Sequence, residues 1–492
     1  MLAKAVLHPP ERRLVVIALL LFVSGGCALV YQTAWMRQLT LVFGATTGAN
    51  AAVLAIFMGG LGAGAALLGR RVDAHPRPLV FYGGLEGVIA LSVPLTPLLV
   101  DLVRAAYIAT GGTQTLGAAT TPVRLLLASL VLIVPTLAMG GTLPAAARAA
   151  ALPGDERGVA LAVLYAANAL GAVAGTLIAT FHAFEAYGFR TTLWIACALN
   201  AAVAALAIYL GRSEPLPAPP TKEKKETKET AGAVAKQARR GKHPRGRAKA
   251  PAEPVAPNDE DAEPTPDPPP APVVVPVPVW VYGAAFASGF AFFLMELVWY
   301  RMLSPLLGGS TFTFGLVLAA ALLGIGLGAL VYRWPGARRR PTAMGFAAVC
   351  GAEAALMLVP LWLGDDLAVL AIALREWGNL GFGPLVAGWI AIVAIVVLPA
   401  AFVAGIQFPL LVGLARPEGD RIGARVGRVY AVNTAGAIVG ALAGGFGMMS
   451  ALGAVGAWRL AGIALVVTGA AALAMHVRAH GLTRRAAAAG GP

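Results

Sequence analysis

Two stretches decide the fold of this chain: FVSGGCALVYQTAWMRQLTLVFGATT at residues 22–47 and FASGFAFFLMELVWYRMLSPLLGGST at residues 286–311. Superimposed at an offset of 264 (286 less 22), they share Phe22/Phe286, Ser24/Ser288, Gly25/Gly289, Trp35/Trp299, Arg37/Arg301, Leu39/Leu303, Gly44/Gly308 and Thr47/Thr311. The register runs on without a gap through Val53–Ala55 and Val317–Ala319. It ends in a glycine ladder, Gly60, Gly62 and Gly64 against Gly324, Gly326 and Gly328. A bias toward Ala, Gly and Leu does not align Trp, Arg and Thr at one offset, so the chain carries one unit twice.

Farther along, the offset settles at 265 (430 less 165). Tyr165-x-x-Asn168-x-x-Gly171-x-x-x-Gly175 matches Tyr430-x-x-Asn433-x-x-Gly436-x-x-x-Gly440, and Gly188 matches Gly453. Glu86 falls near Glu353, each followed by a proline (Pro94, Pro360), once small gaps are allowed.

What is repeated is a set of membrane spans. The 492 residues are 58% hydrophobic and only 13% charged, about half the charge of a soluble domain, and the mean hydropathy is +0.74. A bilayer core about 30 Å thick takes about 20 apolar residues per helix. Such runs predict helices at 14–36, 47–69, 78–103, 122–147, 158–181 and 188–211, then at 280–300, 312–333, 342–364, 383–413, 424–447 and 456–477. The chain therefore reads as an all-α polytopic membrane protein of about twelve transmembrane helices. Residues 1–212 form one six-helix half and 279–478 the other, with a linker at 213–278 and a tail at 479–492.

The net charge of +14 is a matter of orientation and does not point to nucleic acid. Basic residues crowd alternate loops (Arg12/Arg13, Arg70/Arg71/Arg77, Arg148/Arg157, Arg338–Arg340, Arg425/Arg428), while the other loops hold mostly one each. By the positive-inside rule both termini and the linker are expected in the cytoplasm. Ser24-Gly25-Gly26-Cys27 imitates a lipoprotein cleavage site. Ser24, however, stands where the leucine belongs and the apolar run continues to Trp35, so a retained first helix is expected.

The linker has prolines at both ends, a basic block over 222–249 and an acidic block at Asp259–Glu263. With no apolar periodicity to bury, it is expected to be a disordered tether whose basic block can touch anionic lipid headgroups. Cys27, Cys197 and Cys350 are isolated and no metal-ligand spacing occurs, so neither disulfide, metal nor cofactor is expected.

Because each half holds six helices, both start on the same side of the membrane. That parallel repeat is the arrangement of major facilitator superfamily (MFS) transporters. The Phe-x-Ser-Gly helix with Gln32 or Glu296 three residues before Trp, the Gly-x-Gly-x-Gly helix and the Tyr-x-x-Asn-x-x-Gly helix together resemble the membrane part of bacterial fused MFS/spermidine synthase proteins. The resemblance implies an MFS-like fold, a place in a bacterial inner membrane and a cavity lined by the first and seventh helices. In that family an aminopropyltransferase-like domain follows. No strand, glycine-rich loop and helix unit stands here to hold its donor, so no such enzyme activity is expected of this chain. Two readings follow: transport of an unknown, cationic or polyamine-like substrate, or a membrane anchor for a separate aminopropyltransferase-like enzyme. The generic MFS loop motif is poorly kept: Gly69-Arg70-Arg71-Val72-Asp73 has its basic residues in the wrong order.

The chemistry lies in polar groups at membrane depth, which are costly unless they face a cavity or a partner. Gln32, Glu86, Asn168, Glu296, Glu353 and Asn433 are the substrate or proton candidates, with a structural clamp between helices as the equal alternative for the Glu and Asn residues. Gln32 cannot titrate where its repeat mate Glu296 can, which makes Glu296 the first candidate for a coupling proton. Arg301, five residues on, is about 140° round the helix and no natural partner for it. Arg37 and Arg301 are placed at the interface and Trp35 and Trp299 read as interfacial anchors. The glycines of the ladder and of the two GxxxG pairs (Gly171/Gly175, Gly436/Gly440) read as helix-packing positions.

Overall fold

The computed structural model describes residues 10–43, 47–109, 120–151, 159–213, 277–308, 311–331, 341–415 and 422–489. The expected linker lies, but for its edges, outside the described residues. All regular structure among them is helical. The first half contains α1 (Pro10–Phe43), α2 (Thr47–Ala74), α3 (Pro78–Ser92), α4 (Thr96–Ala109), α5 (Thr120–Ala149), α6 (Val159–Ile178) and α7 (Gly188–Arg212). The second contains α8 (Val279–Leu307), α9 (Thr311–Leu330), α10 (Ala343–Trp362), α11 (Gly364–Arg375), α12 (Phe382–Val396), α13 (Leu398–Leu414), α14 (Ile422–Ala443) and α15 (Met449–Ala489).

Ten of these helical stretches are long and apolar enough to cross a membrane, and the bent pair α12–α13 makes an eleventh. The stretch Ile422–Arg478 is 57 residues, about 85 Å of helix and far more than one bilayer requires. It is broken at Gly453, whose φ of 70° is left-handed, and so counts as two. Among the described residues that makes twelve spans, six per half, with both ends of the described chain on one face, here called the terminal face. Large apolar side chains stay exposed along the outside (Leu91 77%, Leu130 61%, Trp194 60%, Val467 61%), as a lipid-facing surface requires.

Three predicted elements differ in shape. Residues 78–103 are not one helix: a 3-10 turn at Val93–Leu95 divides them, because Pro94 has no N–H to continue the ladder. Residues 383–413 are two helices meeting at 53°, broken just before Pro399 for the same reason. The first half carries Pro135 and Pro144 inside an unbroken α5. The first helix is longer than 14–36 at both ends.

The repeat extends to details the sequence did not display. A five-residue π-helical segment ends the fifth span of each half, at Ala179–Ala183 and Gly444–Met448, and the repeat mates Gly188 and Gly453 both take positive φ. Backbones meet where the glycines stand. A Cβ at Gly171 would lie 1.9 Å from the Phe22 carbonyl oxygen, and one at Gly436 1.9 Å from that of Phe286. Close approach of this kind replaces the hydrophobic drive that lipid cannot supply.

Candidate functional site

A cavity of about 170 Å³ lies between the halves. The halves place α1, α2, α5 and α6 on one side of it and α8, α9 and α14 on the other. Its wall is mostly apolar and aromatic, with Phe57, Met58, Phe292, Phe293, Tyr165 and Tyr430, and among the described residues no Lys, Arg or His lines it. Four of the six polar candidates reach it in two repeat-related pairs: Gln32 with Glu296 and Asn168 with Asn433. The three-residue spacing Tyr165–Asn168 and Tyr430–Asn433 puts tyrosine and amide on one helical face, so both tyrosines also line the wall.

Glu296 is 4% exposed and lines the cavity with no hydrogen bond or ion pair to any described residue. Gln32, at 5%, is equally unbonded across from it. Neither Asn168 nor Asn433 bonds across helices through its side chain. Arg301 and Arg37 are exposed, and the Arg37 guanidinium sits 5.1 Å from the Phe184 ring centroid.

Glu86 and Glu353 do not line the cavity. Both are fully buried, each held by one side-chain amide within its own half: Asn200 donates to Glu86 and Gln407 to Glu353. Ser24 Oγ also donates to Glu86, at 2.5 Å. Trp35 and Trp299 are not interfacial anchors: they are 1% and 0% exposed. The Trp35 indole donates to Thr96 Oγ1 at 2.9 Å inside the first half, a buried partner that the helix pattern alone cannot reveal.

Contacts on either side of the cavity differ. Toward the terminal face, one apolar core runs through both halves, from Ile17, Val72 and Leu161 to Val281, Leu411 and Val426. Tyr165 packs tilted against Phe408 at 4.7 Å between ring centroids, and Phe408 meets Tyr430 edge to face at 5.8 Å. Beyond that, Asp73 at the end of α2 accepts from the backbone N–H groups of Gly423 and Ala424 at 2.8 and 2.7 Å. It thereby caps α14 of the other half, with Arg148 3.8 Å away. On the far side each half keeps its own apolar cluster, bridged by Leu54 and by the Phe181–Phe312 pair at 5.1 Å.

The sequence profile described as Major Facilitator Superfamily matches residues 87–419. The chain belongs to the Major Facilitator Superfamily. Among solved structures it is similar to the human organic anion transporter MFSD10 (TETRAN), with 17% identity, TM-score 0.50, and 94% of this chain and 99% of that one covered. A bacterial homologue of the iron transporter ferroportin in the outward-facing state is also similar, at 11% identity and TM-score 0.48, over 94% and 98% of the two chains. The MFS transporter FucP in the outward conformation matches at 15% identity and TM-score 0.44, over 92% and 97%. No curated protein sequence is significantly similar. These findings support the MFS part of the resemblance and contain nothing of its spermidine-synthase part.

Ser24, Asn200, Gln407 and Asp73 were not singled out by the sequence as site residues. Asn200 and Gln407 were detectable as lone amides inside the apolar runs 188–211 and 383–413.

Proposed function

We propose that this MFS protein moves a small cationic organic solute by alternating access, with Glu296 as the group that recognises the positive charge. The observation that carries the reading is a carboxyl without a partner among the described residues, in a cavity that none of their basic side chains lines. A carboxylate removed from water without a counter-charge is strongly disfavoured, and a bound cation supplies what the protein withholds. Aromatic faces around it add cation–π attraction, about 0.5–2 kcal/mol each. The amides Gln32, Asn168 and Asn433 can fix orientation by hydrogen bonds. The organic-anion substrate in the name of the human relative belongs to that protein.

Alternating access fits the layout, in which one half can rock on the other about the cavity. The Asp73 cap and the continuous core hold the terminal face shut; loop charge makes that face the cytoplasmic one in this reading. A built, polar-furnished cavity between the halves favours transport over the anchor alternative.

Purified protein titrated calorimetrically with spermidine, putrescine, benzylammonium and benzoate tests the charge preference. At least one of the cations is expected to bind and benzoate is not. Glu296→Gln is expected to weaken that cation tenfold or more while leaving the melting temperature within a few degrees. Equal affinity in the Gln variant, or binding of benzoate alone, overturns the assignment.

A further inference from the structure

Glu86 occupies a different kind of site from Glu296. It is fully buried behind the cavity wall, where α1, α3 and α7 meet. Ser24 links it to the cavity: its hydroxyl donates to Glu86 Oε1 and it lines the cavity itself. The other carboxylate oxygen accepts from Asn200, and Asn200 Oδ1 in turn accepts from the Tyr31 hydroxyl at 3.4 Å. The titratable groups facing Glu86 are Tyr82 on its own helix, Cys27 and Tyr31 on α1, and Cys197 on α7 beyond Cys27. The α5 helix, packed on α3 where Gly141 meets Leu85, adds none. No basic group faces it among the described residues, and a proton delivered through Ser24 would neutralise it.

The second half provides an internal control. Ser288, the repeat mate of Ser24, does not line the cavity, and its hydroxyl has no hydrogen-bond partner among the described residues. Glu353 is held by Gln407 instead, with its other oxygen unbonded. The serine link between carboxyl and cavity therefore exists in one half only, and the fold does not require it.

We infer that Glu86 is a proton-binding site that exchanges with the central cavity through the Ser24 hydroxyl. A hydronium ion in the cavity gives its proton to Ser24 Oγ as the O–H proton of Ser24 passes to Glu86 Oε1. Water is left in the cavity, the hydroxyl is regenerated and the carboxylate becomes a neutral carboxyl. Release reverses each transfer. Asn200 donates to Oε2 in both states, so the side chain need not move. This site is independent of the cation reading at Glu296 and gives the transporter a proton-carrying group that the substrate does not touch.

Infrared difference spectroscopy of the purified full-length protein, titrated with acid in H2O and D2O, requires no substrate. A protonated-carboxyl carbonyl band is expected to grow on acidification, to be missing in Glu86→Gln and to shift rapidly on transfer to D2O. Ser24→Ala is expected to slow that exchange at least tenfold and to shift the band, having removed a hydrogen bond to it. Ser24→Thr restores the hydroxyl and the fast exchange, and Glu353→Gln leaves this band and its rate unchanged. Exchange at the parental rate in Ser24→Ala overturns the path, and a full set of carboxyl bands in Glu86→Gln overturns the site. Should Glu86→Gln fail to fold, the Ser24→Ala band shift decides in its place.

Discussion

Three glutamates sit in the membrane without a basic partner, and each is held differently. Glu296 faces the cavity unbonded, Glu86 is tied to Ser24 and Asn200, and Glu353 to Gln407. A clamp and a binding group respond oppositely to removal of the partner. Gln407→Leu leaves Glu353 buried without its donor and is expected to destabilise the protein by about 2–3 kcal/mol. Adding Glu353→Leu is expected to recover most of that loss, because a buried polar pair replaced together by apolar groups is often neutral. Thermal unfolding in detergent checks both, and a double variant no more stable than Gln407→Leu would contradict the clamp. The glutamates were legible in the sequence as lone charges in apolar runs. Their partners were not, since Asn200 and Gln407 hold repeat-related carboxyls from non-equivalent spans. The burial of Trp35 is not legible in the sequence, because depth in the bundle depends on which neighbour a face meets, and Thr96 is 61 residues away.

The glycine ladders show how helical period divides one motif between two tasks. Residues four apart return to within about 40° of each other, and the residue between them points about 200° round from the first. Gly60 and Gly64 accordingly both press on α5, where a Cβ on Gly64 would sit 2.0 Å from the Leu137 carbonyl oxygen. Gly62 faces α14 of the other half, 3.1 Å from the side chain of Thr434. The second ladder repeats the division: Gly328 meets Phe402 of its own half and Gly326 meets Leu170 across the interface. Gly64→Ala is therefore expected to cost more than about 2 kcal/mol, since it must displace backbone inside one half, whereas Gly62→Ala needs only a side chain to give way and is expected to cost under about 1 kcal/mol. Melting temperatures of the two variants make the comparison, and equal losses would show that the ladder has a single face. The packing role and the repeat were plain in the sequence. The division between halves was not, because it depends on which helix each face meets.

At the scale of the molecule, the twelve spans and the parallel repeat followed from apolar run length and the two constant offsets, quantities fixed by bilayer thickness and duplication. The Asp73 contact between the halves was hidden in the loop motif that looked degenerate. Its basic residues are out of order, but Asp73 still reaches the other half, 350 residues on in sequence. A carboxylate accepting two N–H groups at a helix start gains both the cap and the helix dipole, together about 1–2 kcal/mol. In the alternating-access reading that contact is lost when the terminal face opens, so its free energy weighs on one side of the equilibrium between closed and open. Asp73→Ala is expected to shift this equilibrium toward opening by about tenfold without unfolding either half. Spin labels on cysteines replacing the exposed Arg212 and Arg478, one in each half at the terminal face, measure the shift. The three native cysteines are buried and do not compete for label. Asp73→Ala is expected to add a longer distance to the distribution, and saturating a binding cation to redistribute it again. The same single cysteines should label in inside-out vesicles and stay protected in right-side-out ones, which fixes the terminal face as cytoplasmic. An unchanged distance distribution in Asp73→Ala would mean that the continuous apolar core alone keeps that face closed, and that the trans cap of α14 is incidental to the cycle.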